Sequence, residues 1–260
     1  MRLPDWVKKN LSIKRFLNIS SVLSAFLLWY ILSLILSPLF VPGPGSVFVG
    51  GYHLYKSILL MSILSTLGRI AVGFLLGSIV GIGVAVAMSW NRWIRWSLDP
   101  IIEFIRPLPV IALIPLFILW LGLGELPKII VVAFASFVTL VVNVREAIKN
   151  VPSVYEDAAK SLGASSQFKL YKTVLLPAIT PQIISGLRIG AAASFDMAAA
   201  AEFIGAQRGI GYIIIRAKTF LYTNGLLFGI FLFAFFAFIV NQLIKYFDQR
   251  INVWSEREKM

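Results

Sequence analysis

Six times along its 260 residues the chain runs for about twenty positions with few charged side chains. The runs lie at residues 22–41, 70–88, 101–121, 129–144, 183–204 and 226–244. About 20 apolar residues are what a helix needs to cross the hydrocarbon core of a bilayer. Prolines occur inside two of the runs, Pro38 in the first and Pro107, Pro109 and Pro115 in the third. Within a membrane this is tolerable, because neighbouring helices can satisfy the freed carbonyls. Only 14% of the residues are charged, 58% are hydrophobic and the mean hydropathy is +0.85. Soluble domains carry about 25% charged residues, so a soluble enzyme and a disordered tail are both excluded. With no cysteine in the chain, a disulfide scaffold, a thiolate nucleophile and a cysteine zinc site are excluded too. The expected fold class is an all-α integral membrane protein with about six transmembrane helices.

The net charge of +12 is explained by where the basic residues fall. With the N-terminus in the cytoplasm, the inner segments hold sixteen Lys and Arg and the outer segments five, the other three, Arg69, Arg106 and Arg188, lying in or beside runs. That asymmetry follows the positive-inside rule. It predicts both termini in the cytoplasm and no nucleic-acid partner. The basic segment 1–19 and the run after it are read as an uncleaved first span, since the run is long for a signal peptide and no small-residue cleavage site follows. Segments 1–19 and 245–260 are then cytoplasmic tails.

Residues 42–46, Pro-Gly-Pro-Gly-Ser, read as a turn-rich outer loop, and residues 52–68 as a helix lying at the outer interface. His53, the only histidine, is an interfacial residue on this reading, and no metal site is expected. In the second run Gly73, Gly77 and Gly81 recur every fourth residue. They line one helix face and let a second helix approach closely. No strand precedes Gly81-Ile82-Gly83, and no GxxxxGK[ST] occurs, so the chain has no nucleotide loop of its own.

The fifth run is rich in small residues and carries Asp196 and Glu202. A carboxylate at bilayer depth costs roughly 3 kcal/mol and is turned to a cavity or to a partner. Asp196 therefore either lines a pathway or pairs with one of Arg69, Arg106 and Arg188. Glu202, at the outer end, is expected to be solvated or interfacial.

About 35 residues, 145–177, separate the fourth and fifth runs. Ser153 with Glu156 three residues on reads as a capping box that starts a short helix, and Gly163 fits its stop. A second amphipathic stretch carries Phe168, Leu170, Tyr171 and Val174. Such a glycine-stopped helix suits either docking into another protein's groove or packing on lipid headgroups.

Residues Glu156 to Pro177 resemble the cytoplasmic signature of binding-protein-dependent ABC transporter permeases: E-A-A, three residues, G, nine residues, I, any residue, L-P. Asp157-Ala158-Ala159 falls on E-A-A, Gly163 on the glycine and Leu176-Pro177 on L-P. The acid is Asp with a Glu before it, and ten residues rather than nine separate Gly163 from Val174. The stretch from Arg106 through Pro115 to Gly124, and Ala200-Ala201-Glu202-Phe203-Ile204-Gly205 followed by Gly209-Ile210-Gly211-Tyr212, are similar to the nitrate/sulfonate/taurine/bicarbonate-type group of these permeases.

The resemblance implies a type I ABC importer-like fold, with a single permease domain over residues 1–260 and a coupling loop over 145–177. It implies a multi-pass subunit of the prokaryotic inner membrane that is not itself an enzyme. The subunit would pair with a second copy, take substrate from an extracytoplasmic binding protein, and dock onto a cytoplasmic ATPase dimer. ATP and Mg would sit on that partner, with no cofactor on this chain. Docking falls on Glu156, Asp157, Ala158, Ala159 and Gly163, with Ala158 and Ala159 small enough for close approach. Phe195, Asp196, Met197 and Glu202 form the candidate pathway set. The cargo implied is a small organic anion or zwitterion such as a sulfonate or taurine, nitrate or bicarbonate, or a small heterocycle such as a vitamin precursor. Asp196 argues against a simple anion. An ion-coupled secondary transporter that uses Asp196 is the competing reading, although no inverted repeat supports it.

Overall fold

The computed structural model describes residues 5–161 and 166–251. All regular structure in them is helical: α1 (Asp5–Ile35), α2 (Pro44–Trp90), α3 (Arg92–Ile105), a 3-10 turn (Val110–Leu113), α4 (Ile114–Leu121), α5 (Glu125–Lys149), α6 (Ser153–Ser161), α7 (Gln167–Leu170), a π-helical turn (Tyr171–Leu175), α8 (Leu176–Gly205), α9 (Ile210–Thr219) and α10 (Thr223–Ile251). Among the described residues four helices are long and apolar enough to cross a membrane: Pro44–Trp90, Glu125–Lys149, Phe168–Gly205 and Thr223–Arg250. Ile19–Ile35 of α1 is a shorter apolar helix.

Two sequence expectations are revised. The outer loop, the interfacial helix and the second span are largely one 47-residue helix. Pro44 opens it, because proline presets the helical φ and lacks only an N–H that would have no partner there. No proline follows until Pro100, so nothing breaks it before Trp90. There Asn91 turns extended and its side chain accepts the Trp93 N–H at 2.8 Å, capping α3. The third run is not one straight rod. Arg92–Ile105 and Val110–Leu121 are bent by 92° at Pro107 and Pro109, whose missing N–H groups break the ladder.

The chain divides into two compact units, Met1–Leu59 with Ile213–Ile230, and Leu60–Tyr212 with Phe231–Met260. In the first, the Trp29 Nε1–H donates to the Pro42 carbonyl at 3.1 Å and the Thr223 hydroxyl donates to the Leu39 carbonyl. Gly51 lies against Phe228, and Gly225 against the buried Tyr55.

In the second unit α5 and α8 pack along much of their length, and both are rich in small and β-branched residues. Val132 is buried with Ile70, Phe195 and Ala198. Val131 is buried with Ile114, Ala200 and Ala201, and Val141 and Val144 with Ala85, Met88 and Ile179. The hydroxyls of Ser136 and Ser194 meet at 2.7 Å, and each also donates or can donate to the carbonyl four residues back in its own helix. Gly73, Gly77 and Gly81 face α5. A Cβ on Gly73 would come within 2.7 Å of Val132, one on Gly77 would strike the Ala133 carbonyl oxygen, and one on Gly81 would lie 2.9 Å from the Phe137 carbonyl oxygen. Arg145 of α5 reaches Asp99 at 2.7 Å and Glu103 at 2.8 Å, tying α3 to α5.

Candidate functional site

Helix α6 projects from the loop between α5 and α8. Pro152 cannot extend α5 and disfavours helical geometry in Val151, and its carbonyl accepts the Tyr155 N–H at 3.1 Å as the chain turns into α6. Ser153 is the first helical residue. On one side of α6, Ala159 is buried with Leu170, Tyr171 and Leu175, against Val86 of α2 and Val151. Ser153, Val154, Tyr155, Asp157 and Ala158 are exposed. Of these, Ser153, Val154, Asp157 and Ala158 lie about 100° or more around the helix from Ala159, at about 100° per residue, while Tyr155, four residues back, lies on its side. Ala158 thus stands on the outward side, whereas Ala159, one step of about 100° further round, is packed inward. Gly163 lies outside the described residues, as does the side chain of Glu156.

The second amphipathic stretch is not a separate surface helix. It is continuous with the fifth span, from Phe168 to Gly205. Its aromatic residues clamp it to the end of α2: Tyr171 stacks on Trp90 with centroids 5.2 Å apart, Phe168 lies 6.1 Å from the same ring, and the Tyr171 hydroxyl donates to Ser89 Oγ at 2.8 Å. The turn Tyr171–Leu175 is π-helical, with the Leu176 N–H bonded to the Tyr171 carbonyl. A π turn spans one residue more than an α turn. Leu176-Pro177 follows this turn directly and opens α8.

At the far end of α8 the structure corrects the expectation for Glu202. Its side chain is fully buried, not solvated. Oε1 accepts from Arg69 Nη1 at 2.5 Å and from the Thr66 hydroxyl at 2.7 Å, and Oε2 accepts the Gly211 N–H at 2.7 Å. Arg69, 4% exposed, also holds Glu125 with two hydrogen bonds (2.5 and 2.8 Å) and donates to the Arg208 carbonyl at 2.8 Å. The Ile210 N–H donates to Thr66 Oγ1 at 2.9 Å. The carboxylate of Glu202 therefore caps the start of α9, where free N–H groups and the helix dipole favour an anion. The glycines of this stretch have a steric cause. Gly209 has φ +133°, a conformation rare for other residues, and a Cβ there or on Gly211 would run into Glu202.

The other candidate pathway residues separate. Phe195 is a core residue, packed with Ile70, Val132 and Ala198, and Met197 is partly buried beside it. Asp196 is exposed and makes no hydrogen bond or ion pair with the described residues. Of its three candidate partners, Arg69 is taken by Glu202 and Glu125, Arg188 donates to Asn241 at 3.2 Å, and Arg106 is exposed. Asp196 belongs to an exposed stripe on α8 with Gln182, Ser185, Ile189, Ala192 and Phe203, at the three- and four-residue spacing of one helix face. Alternation along α8 is visible in the sequence, but which face the rest of the chain covers is not.

The comparisons with known proteins agree with this arrangement. Residues 73–253 match the family model described as binding-protein-dependent transport system inner membrane component. The chain is 35% identical over 233 residues to the taurine transport system permease protein TauC of Escherichia coli (strain K12), covering 87% of this chain and 84% of that one. It is 30% identical over 186 residues to the putative aliphatic sulfonates transport permease protein SsuC of Bacillus subtilis (strain 168), covering 72% and 67%. It is 27% identical over 221 residues to the formylaminopyrimidine transport permease protein ThiX of Halalkalibacterium halodurans, covering 85% and 88%. Among solved structures, an inward-facing form of the MetNI methionine ABC transporter aligns with a TM-score of 0.67 at 18% identity, over 75% of this chain and 97% of that one. A chain of an amino acid ABC transporter aligns with a TM-score of 0.65 at 18% identity, over 75% and 95%. In fold and in family match this is a permease subunit of the ABC importer type, and the chain belongs to the family of inner-membrane components of binding-protein-dependent transport systems.

Proposed function

We propose that two copies of this chain form the membrane pathway of an importer for a small amine-bearing solute, such as an aminosulfonate or an amino-substituted heterocycle, and that a separate ATPase drives it through α6. The observation that carries this reading is the division of α6 into an inward anchor at Ala159 and an outward side of Val154, Asp157 and Ala158, with Tyr155 exposed at its edge. Exposed Val and Tyr on a short helix outside the apolar runs offer a partner an apolar contact, and the clamp on Trp90 gives that contact a rigid route into α2. ATP and Mg2+ belong to the partner. The basic-residue asymmetry supports a cytoplasmic location for α6 and both termini.

The stripe on α8 supports the pairing of two copies. A face holding Gln182, Ser185 and Asp196 is a poor lipid contact. A two-fold axis puts the same face of a second copy opposite it, enclosing a polar path between them. The similarity to the taurine and formylaminopyrimidine permeases supports the amine-bearing cargo class, because Asp196 in such a path attracts an ammonium and repels a simple anion. The aliphatic-sulfonate relative shares only the acidic end of that cargo.

Ala158→Arg is expected to lower ATP-dependent uptake into vesicles roughly thirtyfold, the equivalent of about 2 kcal/mol for an interface centre, at unchanged membrane level. Wild-type uptake by this variant would sink the docking assignment. Ala159→Arg is the poorer test, since it damages the chain's own packing. For Asp196→Asn, uptake of an aminosulfonate is expected to fall about tenfold relative to an alkanesulfonate of equal length, the loss of one charge-assisted contact. An unchanged ratio would remove Asp196 from the pathway. Uptake that needs an ion gradient and not ATP would replace the whole reading with secondary transport.

A further inference from the structure

Beside the buried Arg69–Glu202 pair lies a cavity of about 330 Å3, lined by Leu123, Gly124, Glu125 and Lys128 at the start of α5 and by Gln207 and Arg208 between α8 and α9. Its charges are not balanced. Arg69, Lys128 and Arg208 stand against Glu125 and Glu202, and both carboxylates are already engaged. Glu202 is held by Arg69, Thr66 and the Gly211 N–H, and Glu125 by two hydrogen bonds from Arg69 and one from Lys128 Nζ at 3.2 Å. Lys128 is a buried cation, its side chain 9% exposed, and only one of its three N–H donors is used on Glu125. The guanidinium of Arg208 and the amide of Gln207 have no partner among the described residues. The backbone, by contrast, is tied down. Arg69 holds the Arg208 carbonyl, and Gly209 and Gly211 let the loop close over Glu202. The buried ion pair thus acts as a frame that presents surplus donors to an open concavity.

We propose that this cavity binds a small oxyanion, a sulfonate or carboxylate group, between Lys128 Nζ, the Arg208 guanidinium and the Gln207 amide. Resting on the transport reading above, the oxyanion is the acidic end of the cargo as it reaches the chain, and Asp196 then meets its amine. Three features select this chemistry. Each free group offers a donor: the Lys128 ammonium, the Arg208 guanidinium and the NH2 of the Gln207 amide. Two of them are cationic, and such hydrogen bonds to an oxyanion are stronger than neutral ones. The positive end of α5 opens onto the same space. The occupant is a small molecule and not a protein side chain, because the site is concave and its volume lies at the lower end of small-ligand pockets.

The test uses the full-length chain in lipid nanodiscs, without ATPase or binding protein, with ethanesulfonate as probe and ligand-observed NMR as readout. Saturable binding is expected for wild type. Arg208→Gln is expected to weaken it about tenfold, the equivalent of one charge-assisted hydrogen bond, and Lys128→Met by a similar factor. Arg216→Gln, at an exposed arginine on α9 that does not line the cavity, is expected to bind as wild type does. Arg208 is exposed, so its variant folds even if Lys128→Met does not. Absence of saturable binding to wild type, or binding undiminished in Arg208→Gln, overturns the proposal. The readout is independent of ATP-driven uptake, so a failed oxyanion site and a failed transport reading are told apart.

Discussion

Glu202→Ala is expected to abolish accumulation of folded protein. The substitution leaves the Arg69 guanidinium buried with one carboxylate where it had two, and it strips the Thr66 hydroxyl and the Gly211 N–H of their acceptor. Removing one partner of a buried pair costs about 3–5 kcal/mol, and each orphaned donor adds about 1–3 kcal/mol. Those sums approach the whole stability of an ordinary domain, about 5–15 kcal/mol. The measurement is thermal unfolding and size-exclusion profile in mild detergent, with Glu202→Gln expected between wild type and Ala. Glu125→Gln should be far milder, because that side chain is 60% exposed and Arg69 keeps Glu202. A double variant, Arg69→Met with Glu202→Met, should lose less than the two single variants together, since apolar replacement of both partners removes the stranded charge. A Glu202→Ala protein with wild-type yield and melting temperature would show that the network carries none of this stability.

Gly77→Leu is expected to be comparably severe, for a steric reason. The first side-chain atom would strike the Ala133 carbonyl oxygen and come within 2.8 Å of Ser136 Cβ. A carbonyl inside α5 cannot rotate away, so α2 and α5 must separate, and Gly73 and Gly81 lose their close approach on the same face. Overpacking a core typically costs about 1–3 kcal/mol where side chains can yield, and a backbone obstacle raises this. Gly83→Ala is the control. Nothing lies within 4 Å of a Cβ built there, and alanine is the better helix former by roughly 1 kcal/mol. The readout is the fraction of monodisperse protein after extraction. Equal yields for Gly77→Leu and Gly83→Ala would refute the packing role of Gly77.

The glycine pair shows how far the chain could be read in advance. A four-residue repeat of Gly73, Gly77 and Gly81 marks a packing face, because helical periodicity is local information. It does not say which helix is the neighbour. The same limit explains Glu202. A carboxylate near the end of an apolar run looks like an interfacial group, and its partner Arg69 lies 133 residues earlier in the chain. The signal for that pair is an arginine and an acid each stranded at the edge of a run, but the sequence reading offers Arg69, Arg106 and Arg188 to Asp196 and no partner to Glu202. Around α6, Pro152 and the glycine at 163 mark a short helix between two spans. They do not orient it, and the inward turn of Ala159 depends on Tyr171 and Leu175 packing against Val86.

By itself the sequence determined the solvent, the helical class, the rough positions of the apolar runs and the family, because hydrophobic length, charge placement and a spaced motif are written in one dimension. Tertiary structure decided that one 47-residue helix replaces a loop, an interfacial helix and a span, and that Pro107 and Pro109 sit at a 92° bend. It also decided that Glu202 is an interior anchor while Asp196 faces away from the chain's own core. The fates of the two acids turn on which side chains meet across distant segments, since a buried charge is settled only when its partner arrives.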